Sequence, residues 1–224
     1  MSKYKIIVEG KNDKFFIEAL LGIKDVVSPL VEELGGINDF EYSDKIEKKL
    51  TIYKTQAENK SLKKVGIIID QDNKENDRIA FLNKMIAKVF GEEYFLKKVQ
   101  DSIEIKLEDN ILKISCFIVN INGEGELSTV LKAIKSQNKP SLFADCLIKW
   151  WECADTEKKI IDQVEFDKNW YHYYIKWDNS THQERQQAGK YCSLEYSLHH
   201  KRDIWNFENS ALDELKDYLK KFKE

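Results

Sequence analysis

Val65-Gly66-Ile67-Ile68-Ile69 running into Asp70-Gln71-Asp72 is the stretch that decides the fold. An unbroken Val/Ile run shows no polar alternation, so it reads as a strand covered on both faces, the habit of parallel sheets. It stops abruptly in two acids. A second run of the same kind, Ile6-Ile7-Val8, stops in Glu9-Gly10. In open α/β sheets, ligands and catalytic groups collect where strands leave for helices. Glu9, Asp70 and Asp72 are therefore expected along one sheet edge, where three carboxylates repel one another unless a cation sits among them. That points to a divalent metal.

Outward from these runs, residues 4–9 read as the first strand and Lys14 to Leu21 as a helix, with Asn12 or Asp13 as its cap. Val26 to Leu34 contains a second strand closed by Gly35-Gly36. Asp39 to about Asn59 reads as a long charged helix, and Asp77 to Phe90 as another, ended by Gly91. The succession β-α-β-α-β-α implies a parallel sheet with right-handed crossovers. Ser102 to Leu107 and Ile111 to Val119 then alternate around Glu108-Asp109-Asn110, as a hairpin does. Leu127 to Ile134 returns to a helical period. Beyond Pro140 the pattern predicts helices over Ser141–Cys153, parts of 155–195, and Ser210–Phe222. The expected organisation is an α/β core over residues 1–137 with a helical C-terminal extension over 138–224.

At 224 residues the chain is long enough to bury a full core. The first apolar stretch is too short for a signal peptide, and no stretch approaches a bilayer span. Cys116, Cys146, Cys153 and Cys192 have no metal-ligand spacing, so reduced thiols in a cytoplasmic protein are expected. A net charge of −3 argues against a surface coated in bases, but a local stripe does the electrostatic work of nucleic-acid binding equally well. Residues 168–202 carry six bases against three acids, a local +3 that leaves −6 elsewhere.

Glu9-Gly10-Lys11-Asn12-Asp13 is the first chemical candidate. Gly10 permits a tight turn where a phosphate can approach the backbone, with Lys11 and Asp13 beside it; Asp13 also suits a plain helix cap. In Asp70-Gln71-Asp72, residues two apart on an extended strand face the same way, so both carboxylates reach one hard cation or two adjacent ones. Mg²⁺ or Mn²⁺ is the expected ion. Trp170-Tyr171-His172-Tyr173-Tyr174-Ile175-Lys176-Trp177 mixes rings and bases that either stack on single-stranded nucleic acid or pack helices onto the sheet. HExxH, GxSxG and P-loop patterns do not occur.

An acid-glycine pair after the first strand, followed by Asp-x-Asp after a later apolar strand, resembles the signature of the TOPRIM domain of topoisomerases, primases, OLD-family nucleases and small RNA-maturing nucleases. Val8-Glu9-Gly10-Lys11-Asn12-Asp13-Lys14-Phe15-Phe16 is most similar to the stand-alone and OLD-type members, and the resemblance covers about residues 4–125. It implies a TOPRIM-like, Rossmann-like core with a mainly parallel sheet. It makes Glu9 a general acid/base or metal ligand, and Asp70 and Asp72 Mg²⁺ ligands. With two ions, one would activate water and the other stabilise the leaving oxygen of a phosphodiester. Related members place another acid after a glycine near Gly123-Glu124-Gly125-Glu126; Glu126 is thus a fourth candidate ligand, or a first-turn acid that complements a helix dipole. Glu124 is its rival. Gly35-Gly36-Ile37-Asn38-Asp39 resembles a loop near the site, with Asn38 as a cap.

The expected function is Mg²⁺-dependent phosphodiester hydrolysis on DNA or RNA. The alternative is a non-catalytic module that binds nucleic acid, nucleotide or protein, in phage defence for instance. Nucleic acid is the expected partner and a membrane is not; the oligomeric state stays open, a homodimer included.

Overall fold

A computed structural model describes residues 3–23, 30–35, 39–71, 75–123, 125–156 and 163–223. Contacts group Met1–Val119 with Glu214–Glu224 as one unit, and Asn120–Asp213 as a second. The sequence reading drew its boundary at 137/138.

The first unit is an α/β layer structure. Its strands are β1 (Tyr4–Val8), β2 (Val31–Glu33), β3 (Lys64–Asp70), β4 (Ser102–Leu107) and β5 (Asn110–Val119). They form one sheet in the order β2-β1-β3-β5-β4. The first four in that order run parallel, and β4 pairs antiparallel with β5 at the edge. The expected Rossmann-like core with a mainly parallel sheet is therefore present, hairpin included.

Helices α1 (Lys11–Leu21), α2 (Asp39–Glu58) and α3 (Glu75–Phe90) make the crossovers. Strand order puts β2 on one side of β1 and β3 on the other, so the winding reverses between β1 and β3. Such a reversal splays the connections apart and opens a crevice at the strands' carboxyl ends.

The apolar runs divide by residue parity, as a pleated strand requires. Ile7, Val65, Ile67, Ile69, Ile114, Cys116 and Ile118 face Ile46, Leu50 and Tyr53 of α2 and Leu82, Met85 and Ile86 of α3 in one buried cluster. The opposite parity meets the C-terminal helix α10 (Asp213–Lys223). Tyr218 packs its ring 5.3 Å from that of Phe117, and its hydroxyl lies 3.0 Å from Ser115 Oγ. Gly66 makes this approach feasible: a Cβ there would sit 2.9 Å from the Tyr218 hydroxyl and 3.2 Å from the Phe222 ring.

The described helices of the second unit include α4 (Leu127–Ala133), α5 (Leu142–Thr156), α6 (Gln163–Tyr173), α7 (His182–Gln186), α8 (Ala188–Tyr191) and α9 (Leu194–His200). A π-helical turn over Tyr174–Asp178 extends α6. The helical C-terminal region expected from sequence is borne out. Its aromatic residues pack on one another: Trp170 stacks on Tyr174 at 5.1 Å, Tyr174 meets Trp205 edge-on, and the Tyr174 hydroxyl donates to the Ile204 carbonyl at 2.7 Å. Among the described residues no helix is long and apolar enough to cross a membrane.

Candidate functional site

Glu9 follows directly on β1, and Asp70 ends β3, its immediate neighbour. The two strands flank the winding reversal, so topology delivers both acids to one crevice. Glu9 Oε1 accepts a hydrogen bond from the Asp70 backbone N–H at 3.3 Å, across 61 positions of chain. That bond ties the β1 exit to the last residue of β3. Arg78, on the first turns of α3, brings its guanidinium to 3.9 Å from the same oxygen; both side chains are largely buried. A carboxylate so placed has lost most of its water, and a guanidinium offsets that loss.

Asp72 lies outside the described residues, as do Glu124 and Asn38. Glu126 is described, and belongs to the second unit. It is the N-cap residue of α4, buried, with Oε1 accepting from Ser128 Oγ at 2.8 Å and paired with Lys168 Nζ at 3.1 Å. That carboxylate is engaged by its own surroundings.

The loop after β1 differs in detail from its sequence reading. Helix α1 starts at Lys11 with Gly10 as N-cap, rather than at Lys14 with Asn12 or Asp13 there. Asp13 occupies the third helical position and reaches back, its Oδ2 accepting the Gly10 N–H at 2.9 Å. This is half of a capping box and satisfies a donor that the helix cannot. Gly10 has φ −135°, extended backbone open to any residue. What a side chain would disturb is Asp13, whose carboxylate would sit 3.3 Å from a Cβ. Lys11 is exposed, with Nζ 5.3 Å from the Phe15 ring centroid.

One acid at this edge escaped the sequence reading. Glu33 ends β2, in register with Val8 on β1. Its Oε2 is buried and, among the described residues, finds no hydrogen-bond partner. Its signal was available in Glu32-Glu33, an acid pair closing an apolar strand, but Gly35-Gly36 drew attention to the loop instead. Glu32 points to the other face, where burial would raise its pKa, but hydrogen bonds and charge from Lys49 and Lys5 outweigh that and hold it low.

Three neighbouring strands thus end in Glu33, Glu9 and Asp70. Among the described residues no three His, Cys, Asp or Glu side chains converge closely enough to hold an ion by themselves. Mg²⁺ makes a weaker demand: one or two carboxylates, its other positions taken by water and substrate phosphate. The all-oxygen donors Glu9 and Asp70 suit a hard cation of that kind.

The described part of the aromatic segment is mostly structural. Trp170, Tyr171, Tyr174 and Trp205 are buried. Trp177 remains 40% exposed, with Lys176 and Arg185 above its ring at 5.2 and 5.4 Å.

Fold and site together define a doubly wound α/β protein with acids gathered at its winding reversal. The chain belongs to the family described as "Protein of unknown function (DUF3226)", whose model matches residues 3–224. No curated protein and no solved structure matches it.

Proposed function

We propose that this chain is a Mg²⁺- or Mn²⁺-dependent nuclease with a TOPRIM-like centre, hydrolysing phosphodiester bonds in DNA or RNA in the cytoplasm. The observation that carries the reading is the bond between Glu9 Oε1 and the Asp70 backbone N–H. It sets an acid from each of two distant apolar runs at the crevice where α/β proteins bind phosphorylated ligands. Asp70 and Asp72, with Glu9, are the residues that would hold the ion. When bound, it would neutralise phosphate oxygens and lower the pKa of water.

Glu9 would accept the proton of the attacking water or give one to the leaving oxygen. Arg78, beside Glu9, is suited to pair with a non-bridging phosphate oxygen as charge develops there. The four free cysteines support the reducing compartment.

The test is cleavage of labelled single- and double-stranded DNA and RNA with Mg²⁺ or Mn²⁺, by the native chain and by Glu9→Gln and Asp70→Asn. Loss of at least a hundredfold in both variants, with folding intact by circular dichroism, is expected. Cleavage that survives both substitutions assigns the activity elsewhere.

Arg78 also favours a second reading. A guanidinium beside Glu9 supplies the positive charge that the acid edge needs, which suits a non-catalytic module for nucleic acid, nucleotide or protein. Tight nucleic-acid binding without turnover, unaffected by chelator, is the outcome that selects it.

A further inference from the structure

At the opposite edge of the same sheet lies a cavity of about 200 Å³. Lys64 from the start of β3, Lys113 from β5, and Lys221 and Phe222 from α10 line it, together with Ser102 of β4 and Tyr218. Lys64 stands opposite Lys113 in register, and Ser102 opposite Ser115. These residues therefore share the sheet face that α10 covers. No carboxylate is among the lining residues.

Three ammonium groups around one small cavity repel one another. Lys64 has a structural explanation: its Nζ donates to the Phe222 carbonyl at 3.3 Å and lies 5.4 Å from the Tyr4 ring centroid. It thereby answers the negative end of the α10 dipole. Lys113 and Lys221 have no carboxylate within ion-pair distance among the described residues, although Glu104 stands opposite Lys113 in the β4–β5 register. Glu214 is close by, but its carboxylate is engaged by the Gln100 side chain at 3.3 Å.

Neutral donors complete the picture. The Ser115 and Tyr218 hydroxyls bond each other, which uses one of their two hydrogens and leaves the other to donate. Ser102 adds a third hydroxyl, and the Phe222 ring supplies an apolar wall. Two cations, convergent hydroxyls and one ring make a receptor for a compact polyvalent oxyanion attached to something small. The volume is below that of drug-sized pockets and matches a phosphate with a sugar-sized group.

We propose that this cavity binds a small phosphomonoester. The site is separate from the acid edge: Lys64 and Asp70 begin and end β3, and six residue steps of strand amount to about 20 Å. It does not depend on the nuclease reading.

The test titrates the full chain with ribose 5-phosphate, with ribose, and with inorganic phosphate at fixed ionic strength, by calorimetry and thermal unfolding. Ribose 5-phosphate is expected to bind and to raise the unfolding temperature, and ribose to do neither. Lys113→Ala and Lys221→Ala should each weaken binding about tenfold or more, the worth of a charge-assisted hydrogen bond. Without ligand, Lys221→Ala should unfold no lower than the native chain, because it sheds repulsion. Equal binding of ribose, or binding that survives the double variant, overturns the proposal. So does inorganic phosphate binding as tightly as the ester, which would make the ligand the free ion. Absence of binding by ribose 5-phosphate at millimolar concentration overturns it outright.

Discussion

Substituting Gly66 by alanine tests the contact on which both the last helix and the basic cavity depend. A Cβ at Gly66 would lie 2.9 Å from the Tyr218 hydroxyl and 3.2 Å from Phe222 Cε2. Tyr218 is held by Ser115 at 3.0 Å and by its ring contact with Phe117, so it has little room to yield. Overpacking of this kind costs about 1–3 kcal/mol. Against it, alanine gains about 0.5–1 kcal/mol over glycine in a strand, through the reduced freedom of the unfolded chain. The net expectation is a loss of about 1–2 kcal/mol, read as a lower urea midpoint at unchanged slope. Tyr218→Phe removes the atom nearest the new methyl and by itself forfeits one hydrogen bond, about 1 kcal/mol. In the double variant the clash is largely gone, so the two losses should sum to less than their parts by about 1 kcal/mol. Amide exchange should show α10 opening first in Gly66→Ala. Strict additivity, or a Gly66→Ala chain as stable as the native one, refutes close packing of α10 on β3.

Lys132→Ala strands the Asp167 carboxylate, whose side chain is 2% exposed and accepts from Lys132 Nζ and Gln163 Nε2, each at 2.8 Å. With Gln163 still in place and Lys132 partly exposed, the cost should be about 2 kcal/mol, less than for a fully buried pair, and Asp167→Asn in the same chain should recover part of it in urea titrations. A thiol reagent should label Cys146 and Cys153 rapidly and leave Cys116 and Cys192 unreacted until unfolding, because the latter two are buried and burial pushes the Cys116 thiol up to about 12. Burial would raise the Asp145 pKa, but hydrogen bonds from Ser141 and Trp170 and the charge of Lys135 outweigh it and hold it below its usual 3.8. The stability it contributes is thus complete above 3.8 and lost as pH falls through its lower folded value, so Asp145→Asn should flatten the acid limb of a thermal-unfolding profile there.

The strand runs were legible because an apolar run that ends in acid leaves little choice of fold, and β3 falls within a residue of its sequence reading. The Glu9–Asp70 juxtaposition was legible for the same reason: both residues close neighbouring strands. Asp72 falls outside the described residues, so the third member of that set is carried by resemblance alone. The Gly66 contact was half legible. Glycine inside a strand signals a close approach, but which partner approaches is a matter of tertiary packing, and Tyr218 lies 152 positions away. The basic cavity was invisible. Nothing in the sequence pattern joins Lys64 and Lys113, which only the β3–β5 register sets opposite each other, or links them to Lys221, one of several bases in the last turn of α10.

Parallel winding has a consequence for charge. Bases stand at the amino-terminal end of β3 and level with it on its partner β5, in Lys64 and Lys113, while acids close β1, β2 and β3 in Glu9, Glu33 and Asp70. Along the chain these signs are interspersed. The sheet sorts them, because parallel strands put every beginning on one edge and every end on the other. The ends of β3 are separated by about 20 Å, some two and a half times the Debye length of about 8 Å at physiological salt. An anion in the basic cavity therefore adds almost nothing to the potential felt by a cation at the acid edge. Each edge can hold its own ion without screening the other, which is what one sheet requires if it is to carry two ligands of opposite sign.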